Sequence, residues 1–215
     1  MHIVAIDGPA GSGKSSVSKA SALKLGFGYL DTGAAYRALT WAVIEHKIDL
    51  AGLSAKDIAT SFDYSISLDP SNFWVKAFGI GVTDAIREPR VAEAVSLVAR
   101  EPEVRQYMRD LTRSLVEQSG LPGVVVEGRD ITTVVFPDAK TRILLTASEE
   151  VRLRRRSAEL PAGVSLTEMV TKRDQTDSKV VDFMTPSEGV SLLDSTELSF
   201  EQTVDAVLNL VREIR

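Results

Sequence analysis

An apolar run, Ile3-Val4-Ala5-Ile6, leads into Gly8-Pro9-Ala10-Gly11-Ser12-Gly13-Lys14-Ser15, with Ser16 following. The spacing is G-x-x-x-x-G-K-[ST], and a chain that carries it behind a buried strand is confined to a small set of folds. A strand, a glycine-rich turn and a helix in succession point consecutive backbone N–H groups into one concavity, where the helix N-terminus adds partial positive charge. That cradle suits phosphates. Lys14 is placed to reach the β- and γ-phosphates of a bound triphosphate, and the Ser15 hydroxyl to meet Mg²⁺. The expected helix runs from Lys14 to Leu25 and stops at Gly26.

Further strand-like runs occur at Gly28 to Leu30, Val124 to Val126, Ile143 to Thr146 and Ser191 to Leu193. Helical patterns separate them. Ala35, Leu39, Ala42 and Val43 keep helical spacing between Ala34 and Glu45, with Asp31 or Thr32 available as the cap. Val104, Met108, Leu111 and Leu115 form a second stripe. A last helix carries Phe200, Val204, Val207, Leu208 and Val211 on one face and starts from Ser199 and Gln202 in capping-box spacing. Strands alternating with helices predict an α/β fold, a parallel sheet covered on both faces with ligands at the carboxyl ends of the strands. One stretch breaks the alternation. Tyr64 to Leu68 and Trp74 to Phe78 read as short strands joined by Asp69-Pro70-Ser71-Asn72, so residues 62–87 are expected to form a small β-rich insert.

At 215 residues the chain can build one good-sized core, or one core plus a small insert. Its net charge of −5 argues against a surface devoted to a nucleic-acid polymer. Arginine is nevertheless dense at 152–156, with Arg129 and Arg173 elsewhere, which suits a small phosphorylated ligand. Cysteine is absent, excluding disulfides, thiolate nucleophiles and cysteine-bound zinc, and the only histidines are His2 and His46. No leader-like or membrane-spanning run is visible, so a cytoplasmic protein is expected, and a monomer.

Three segments outside the loop carry further candidates. Leu30 to Arg37 places Thr32, Tyr36 and Arg37 after a short strand, and Asp31 or Thr32 can also serve as a helix cap. Gly123 to Asp130 delivers Arg129 and Asp130 from the end of another strand, as ligand groups or as a structural ion pair. Arg173 and Asp177 continue the apolar face of a helix capped at Ser165 and Glu168, a placement that demands either each other or a ligand as partner. Arg152, Arg155 and Arg156 share one side of a helix starting near Glu149. A helix of that kind, closing over bound phosphates, would gather cations around a transferring phosphoryl group.

The segments GPAGSGKSS at 8–16, LDTGAAYR at 30–37, GRDITTVVFPDA at 128–139 and RDQTDS at 173–178 together resemble the cytidylate kinase family of P-loop nucleoside monophosphate kinases. The likeness extends over essentially the whole chain. It implies transfer of the γ-phosphoryl group of ATP to CMP and dCMP with Mg²⁺. It also implies a single kinase domain over 1–215, with a five-stranded parallel core, a CMP-binding insert at 62–87 and a lid at 152–164. The resemblance assigns the monophosphate to Thr32, Tyr36, Arg37, Arg87, Arg105, Arg129, Asp130, Arg173 and Asp177. Lys14, Arg155, Arg156 and Arg173 become the catalytic cations. Asp130 and Asp177 would accept hydrogen bonds from the cytosine amino group and sugar hydroxyls. The chain departs from the common pattern at Thr132, where glycine is usual, at Thr112, before Arg113, where glutamine is common, and at Val180, where many members have arginine. A kinase for another small acceptor such as UMP would share the loop. A GTP-dependent switch would draw on Thr171-Lys172-Arg173-Asp174 and Asp49-Leu50-Ala51-Gly52, which lack the surroundings such motifs need.

Overall fold

The computed structural model describes residues 1–47, 49, 53–157 and 184–213. The chain opens with β1 (His2–Asp7), α1 (Lys14–Leu25), β2 (Gly28–Asp31), α2 (Thr32–His46) and α3 (Ala55–Ser61). Three short strands follow, β3 (Tyr64–Ile66), β4 (Val75–Ala77) and β5 (Ile80–Gly81), then a 3₁₀ turn at Ala85–Arg87 and the helices α4 (Pro89–Ala99) and α5 (Pro102–Glu117). The remainder is β6 (Gly123–Gly128), a wide turn of π-helix at Ile131–Val135, β7 (Thr141–Thr146), α6 (Glu149–Ser157), β8 (Ser191–Asp194) and a last helix, α7 (Phe200–Glu213).

Five strands form one parallel sheet in the order β2-β6-β1-β7-β8, and β3-β4-β5 form a separate antiparallel sheet. The expected α/β class and the small β insert are both present. Two compact units make up the chain, one of Met1–Tyr29 and Leu121–Arg215, the other of Leu30–Gly120.

In the first unit β1 lies between β6 and β7, in register from His2 opposite Gly123 to Asp7 opposite Gly128, and from Val4 opposite Thr141 to Asp7 opposite Leu144. Val4, Ala5, Ile6, Val124, Val125, Val126, Ile143, Leu144 and Leu145 are buried, as strands covered on both faces must be. Because the pairing is parallel, polar residues appear together where these strands end. Helix α1 packs on α7, where Lys24 meets Glu201 at 3.2 Å and Asp205 at 3.3 Å. Ser199 and Gln202 form the expected reciprocal cap of α7, Ser199 N donating to Oε1 at 2.9 Å and Gln202 N to Oγ at 3.2 Å. Phe200, expected on the apolar face, is instead 47% exposed; Thr203 is buried in its place, with Val204, Val207, Leu208 and Val211.

The second unit is mostly helical. Its buried residues include Ala34, Ala38, Leu39 and Ala42 of α2, and α2 packs against α4 and the 3₁₀ turn. Helices α4 and α5 each begin on a proline, Pro89 and Pro102, where the missing N–H costs nothing. Along α5 the buried positions are Val104, Tyr107, Met108, Thr112 and Val116, while Leu111 and Leu115 are half-buried, so the stripe is rotated from the one expected. Phe78 at φ 51° and Gly79 at φ 72° close a two-residue hairpin with both central residues left-handed, which adds a third strand to the expected pair. Phe62 anchors this region, with ring centroids 5.4 Å from Tyr64, 6.1 Å from Phe78 and 6.3 Å from Tyr107.

At the start of β6, a Cβ on Gly123 would lie 2.6 Å from the buried Phe27 ring. Gly123→Ala should therefore destabilise the fold by about 1–3 kcal/mol through overpacking, read as a lower midpoint of urea unfolding.

Candidate phosphate-binding and nucleotide site

The loop between β1 and α1 is shaped mainly by its main chain. Ser12 N donates to Pro9 O at 3.3 Å, and α1 is entered through Gly13, whose carbonyl accepts from Val17 N at 3.0 Å. Gly11 sits at φ +75° with its back against α6, where a Cβ would come 2.6 Å from the Arg152 carbonyl oxygen. Two arginines of α6 take the loop's carbonyls: Arg152 Nη1 donates to Ala10 O at 2.9 Å and Arg155 Nη1 to Ser12 O at 3.2 Å. In a trans peptide the carbonyl and the next N–H point opposite ways, so these bonds turn the Gly11 and Gly13 N–H groups away from α6. That is the arrangement an anion cradle needs.

Arg155 is tied down further, donating to Ser195 Oγ and Ser195 O, both at 2.9 Å, while Ser195 Oγ donates to Thr146 O at 2.9 Å. Desolvation pushes the Arg155 guanidinium's pKa down, and the like charge of Arg154 adds to this. Arg152, expected to share one side of the helix with Arg155 and Arg156, is buried. Lys14 folds back toward Pro9 O at 3.4 Å. The Ser12 hydroxyl is buried with no hydrogen-bond partner, whereas Ser15 is exposed at the first turn of α1. Gly8 to Gly13 form the loop between β1 and α1, and Lys14, Ser15 and Ser16 begin α1. Arg156 lies on α6, and its side chain is outside what the structure describes, as are Arg173, Asp177 and the lid residues from 158 onward.

Arg129 and Asp130, both half-buried, leave the end of β6 in the same unit. Next to them the buried Asp7 carboxylate accepts from Ile131 N at 2.9 Å, Thr132 N at 2.8 Å and Thr132 Oγ1 at 2.6 Å. Burial pushes the Asp7 pKa up, with a smaller push from Asp130, against the opposing effect of these donors. Sequence reasoning missed Asp7, although an acid closing an apolar run just before the loop was a visible signal. A second buried acid, Glu127 on β6, accepts from the Tyr29 phenol at 2.7 Å.

In the second unit Asp31 is the cap of α2, its Oδ1 accepting from Ala34 N at 2.9 Å. Its Oδ2 accepts from Arg37 Nη2 at 2.8 Å. Gly33 makes this pairing possible, since a Cβ there would sit 3.0 Å from Arg37 Nη1 and 3.1 Å from Asp31 Oδ1. Arg37 Nε and the Tyr64 hydroxyl are buried without hydrogen-bond partners. Burial raises the Tyr64 pKa well above its ordinary value, Asp31 reinforces this, and Arg37 opposes it. Thr32 is buried and Tyr36 half-buried on α2, Arg105 is half-buried on α5, and Arg87 is exposed at the end of the 3₁₀ turn.

The model of the family described as "Cytidylate kinase" matches residues 4–213. The chain belongs to the cytidylate kinase family. It is 44% identical over 217 residues to a cytidylate kinase of Streptomyces avermitilis, covering 99% of this chain and 94% of that protein. A cytidylate kinase of Desulfitobacterium hafniense is 41% identical over 223 residues, covering 98% of this chain and 92% of that protein. Among solved structures, TT1252 from Thermus thermophilus is similar at a TM-score of 0.53 with 19% identity, over 100% of this chain and 98% of that one, a likeness of fold.

No helix of the described residues is long and apolar enough to cross a membrane. Among the described residues no group of three or more His, Cys, Asp or Glu side chains could hold a metal ion. Tyr29→Phe should destabilise the protein by about 1–3 kcal/mol, because the buried Glu127 carboxylate loses its phenol donor, and denaturant unfolding would read the loss.

Proposed function

We propose that the protein transfers the γ-phosphoryl group of ATP to CMP and dCMP, giving ADP and CDP or dCDP. Membership of the cytidylate kinase family supports this reading. The observation that carries it is the phosphate loop itself, whose outward carbonyls are held by Arg152 and Arg155 so that its N–H groups turn the other way. Donor binding is then a main-chain function, and the phosphates enter a cradle already formed.

Lys14 supplies a cation to the β- and γ-phosphates of ATP, where charge develops as the phosphoryl group moves. Arg155, Arg156 and Arg173 are the further cations assigned by resemblance. Ser15, exposed at the mouth of the loop, offers one hydroxyl oxygen. That fits Mg²⁺, which keeps several waters and is bound through one or two protein oxygens together with the substrate's own phosphates. When bound, Mg²⁺ neutralises phosphate charge and orients the β- and γ-oxygens.

By resemblance the acceptor is assigned to Thr32, Tyr36, Arg37, Arg87, Arg105, Arg129, Asp130, Arg173 and Asp177. The 62–87 insert is assigned to CMP on the same basis, and 152–164 to a lid. In this reading arginines clamp the α-phosphate while Asp130 and Asp177 accept from the cytosine amino group and sugar hydroxyls. A cysteine-free chain consuming ATP is placed in the cytoplasm.

The assay that tests the reading measures ADP release with CMP, dCMP, UMP, AMP and GMP offered in turn. CMP and dCMP should support turnover far better than the others; equal turnover with UMP or AMP would overturn the assignment. Lys14→Ala should lower kcat by about 10²–10³, as loss of a transition-state donor does. Asp130→Ala should raise KM for CMP far more than KM for ATP in steady-state kinetics.

A further inference from the structure

Asp7 closes β1, and its carboxylate lies buried at 2% exposure in a position where a charge needs partners. It has them on the next strand's continuation. Oδ1 takes Ile131 N at 2.9 Å, and Oδ2 takes both Thr132 N at 2.8 Å and the Thr132 hydroxyl at 2.6 Å. These donors begin the wide turn that directly follows Arg129 and Asp130. Inside that turn the Asp130 carbonyl accepts from Val134 N at 2.9 Å and Val135 N at 3.0 Å, and the Ile131 carbonyl accepts from Phe136 N at 2.8 Å. The turn's carbonyls therefore serve its trailing N–H groups, while its leading N–H groups are served by a side chain from β1. Arg142 of β7 donates from Nη1 to the Thr132 carbonyl at 3.4 Å, a contact to the next peptide of the turn.

The phosphate loop does not share these bonds. Its carbonyls are held from α6, through Arg152 and Arg155. Two separate sets of contacts thus fix the two features that leave the sheet edge: α6 fixes the loop, and Asp7 fixes the turn behind Arg129 and Asp130.

We infer that Asp7 and Thr132 are positioning residues for the acceptor nucleotide, holding the main chain behind Arg129 and Asp130 and so setting the affinity for CMP rather than for ATP. The inference rests on the assignment of Arg129 and Asp130 to the acceptor. Neither Asp7 nor Thr132 touches substrate in this scheme. The Thr132 hydroxyl is the cleaner probe of the two, because removing it leaves every bond of the phosphate loop intact.

The test uses the full-length chain and compares Thr132→Val, Thr132→Ser and Asp7→Asn, with Asp130→Ala as the reference. KM for CMP is measured at saturating ATP, KM for ATP at saturating CMP, and thermal unfolding is followed for each protein. Thr132→Val should raise KM for CMP by about 3–10-fold and KM for ATP by less than about 2-fold, a part of the roughly tenfold or more that a hydrogen bond to a carboxylate is worth, because the Ile131 and Thr132 amides still hold Asp7. Thr132→Ser, which keeps the hydroxyl, should behave as the parent. Asp7→Asn should raise KM for CMP by about tenfold or more, since an amide presents a donor where Asp7 presents only acceptors. The inference is overturned if the two KM values of Thr132→Val rise together, or if its unfolding temperature falls while both stay unchanged, which is the behaviour of a purely structural brace. If Asp130→Ala raises KM for CMP and Thr132→Val does not, the positioning role alone has failed. If Asp130→Ala itself leaves KM for CMP unchanged, the assignment of Asp130 to the acceptor has failed and the inference falls with it.

Discussion

Strand β1 is hydrogen-bonded on both sides, to β6 along its whole length and to β7 from Val4 to Asp7, and all three run the same way. Parallel pairing brings the carboxyl ends of these strands to one edge, where Asp7, Gly128 and Thr146 end them. The phosphate loop departs from the first of these ends. Arg129 and Asp130 depart from the second, and the Thr146 carbonyl at the third accepts from both the amide and the hydroxyl of Ser195. The polar features at this edge of the first unit follow from that alignment.

The charges around this edge are arranged by burial as much as by pairing. Asp7 is held among main-chain donors rather than opposite a basic residue, and its raised pKa shows desolvation outweighing its hydrogen bonds. Arg155 shows the mirror case, a cation whose pKa is lowered by desolvation while its guanidinium rests on carbonyl oxygens. In the second unit, Asp31 and Arg37 neutralise one another at 2.8 Å, and the helix they begin is capped by the same carboxylate. The Arg37 guanidinium is therefore oriented by its neighbour.

Much of this is legible in the sequence. The strand, glycine turn and helix around the loop, the helix stop at Gly26, a cap at Asp31 or Thr32 and the Ser199–Gln202 box each show in residues close in sequence, where local chemistry decides. Elements set by distant partners were harder to read. The face of α5 is fixed by what it packs against, which buries Thr112 and Val116 and leaves Leu111 and Leu115 half-exposed. Strand β5 has two residues and follows a turn with Phe78 in a left-handed conformation, a shape that phenylalanine does not advertise. Helix α4 did leave a signal, Pro89 followed by Val91, Val95 and Val98 at helical spacing. In the site, the arginines of α6 were visible as a cluster on one side. That Arg152 and Arg155 hold the loop's backbone could not be read, because a main-chain acceptor has no sequence identity.

That last point bears on how such a loop can change over generations. Arg152 and Arg155 grip the oxygens of residues 10 and 12, which every amino acid possesses. The polarity of the side chains at those two places is therefore uncoupled from the brace, and the shape of the cradle is inherited through two residues of a helix some 140 positions downstream in the chain. Mutational drift at residues 10 and 12 and mutational drift at Arg152 and Arg155 should therefore have very different consequences, the first leaving the brace in place and the second felt by every phosphate the loop must hold.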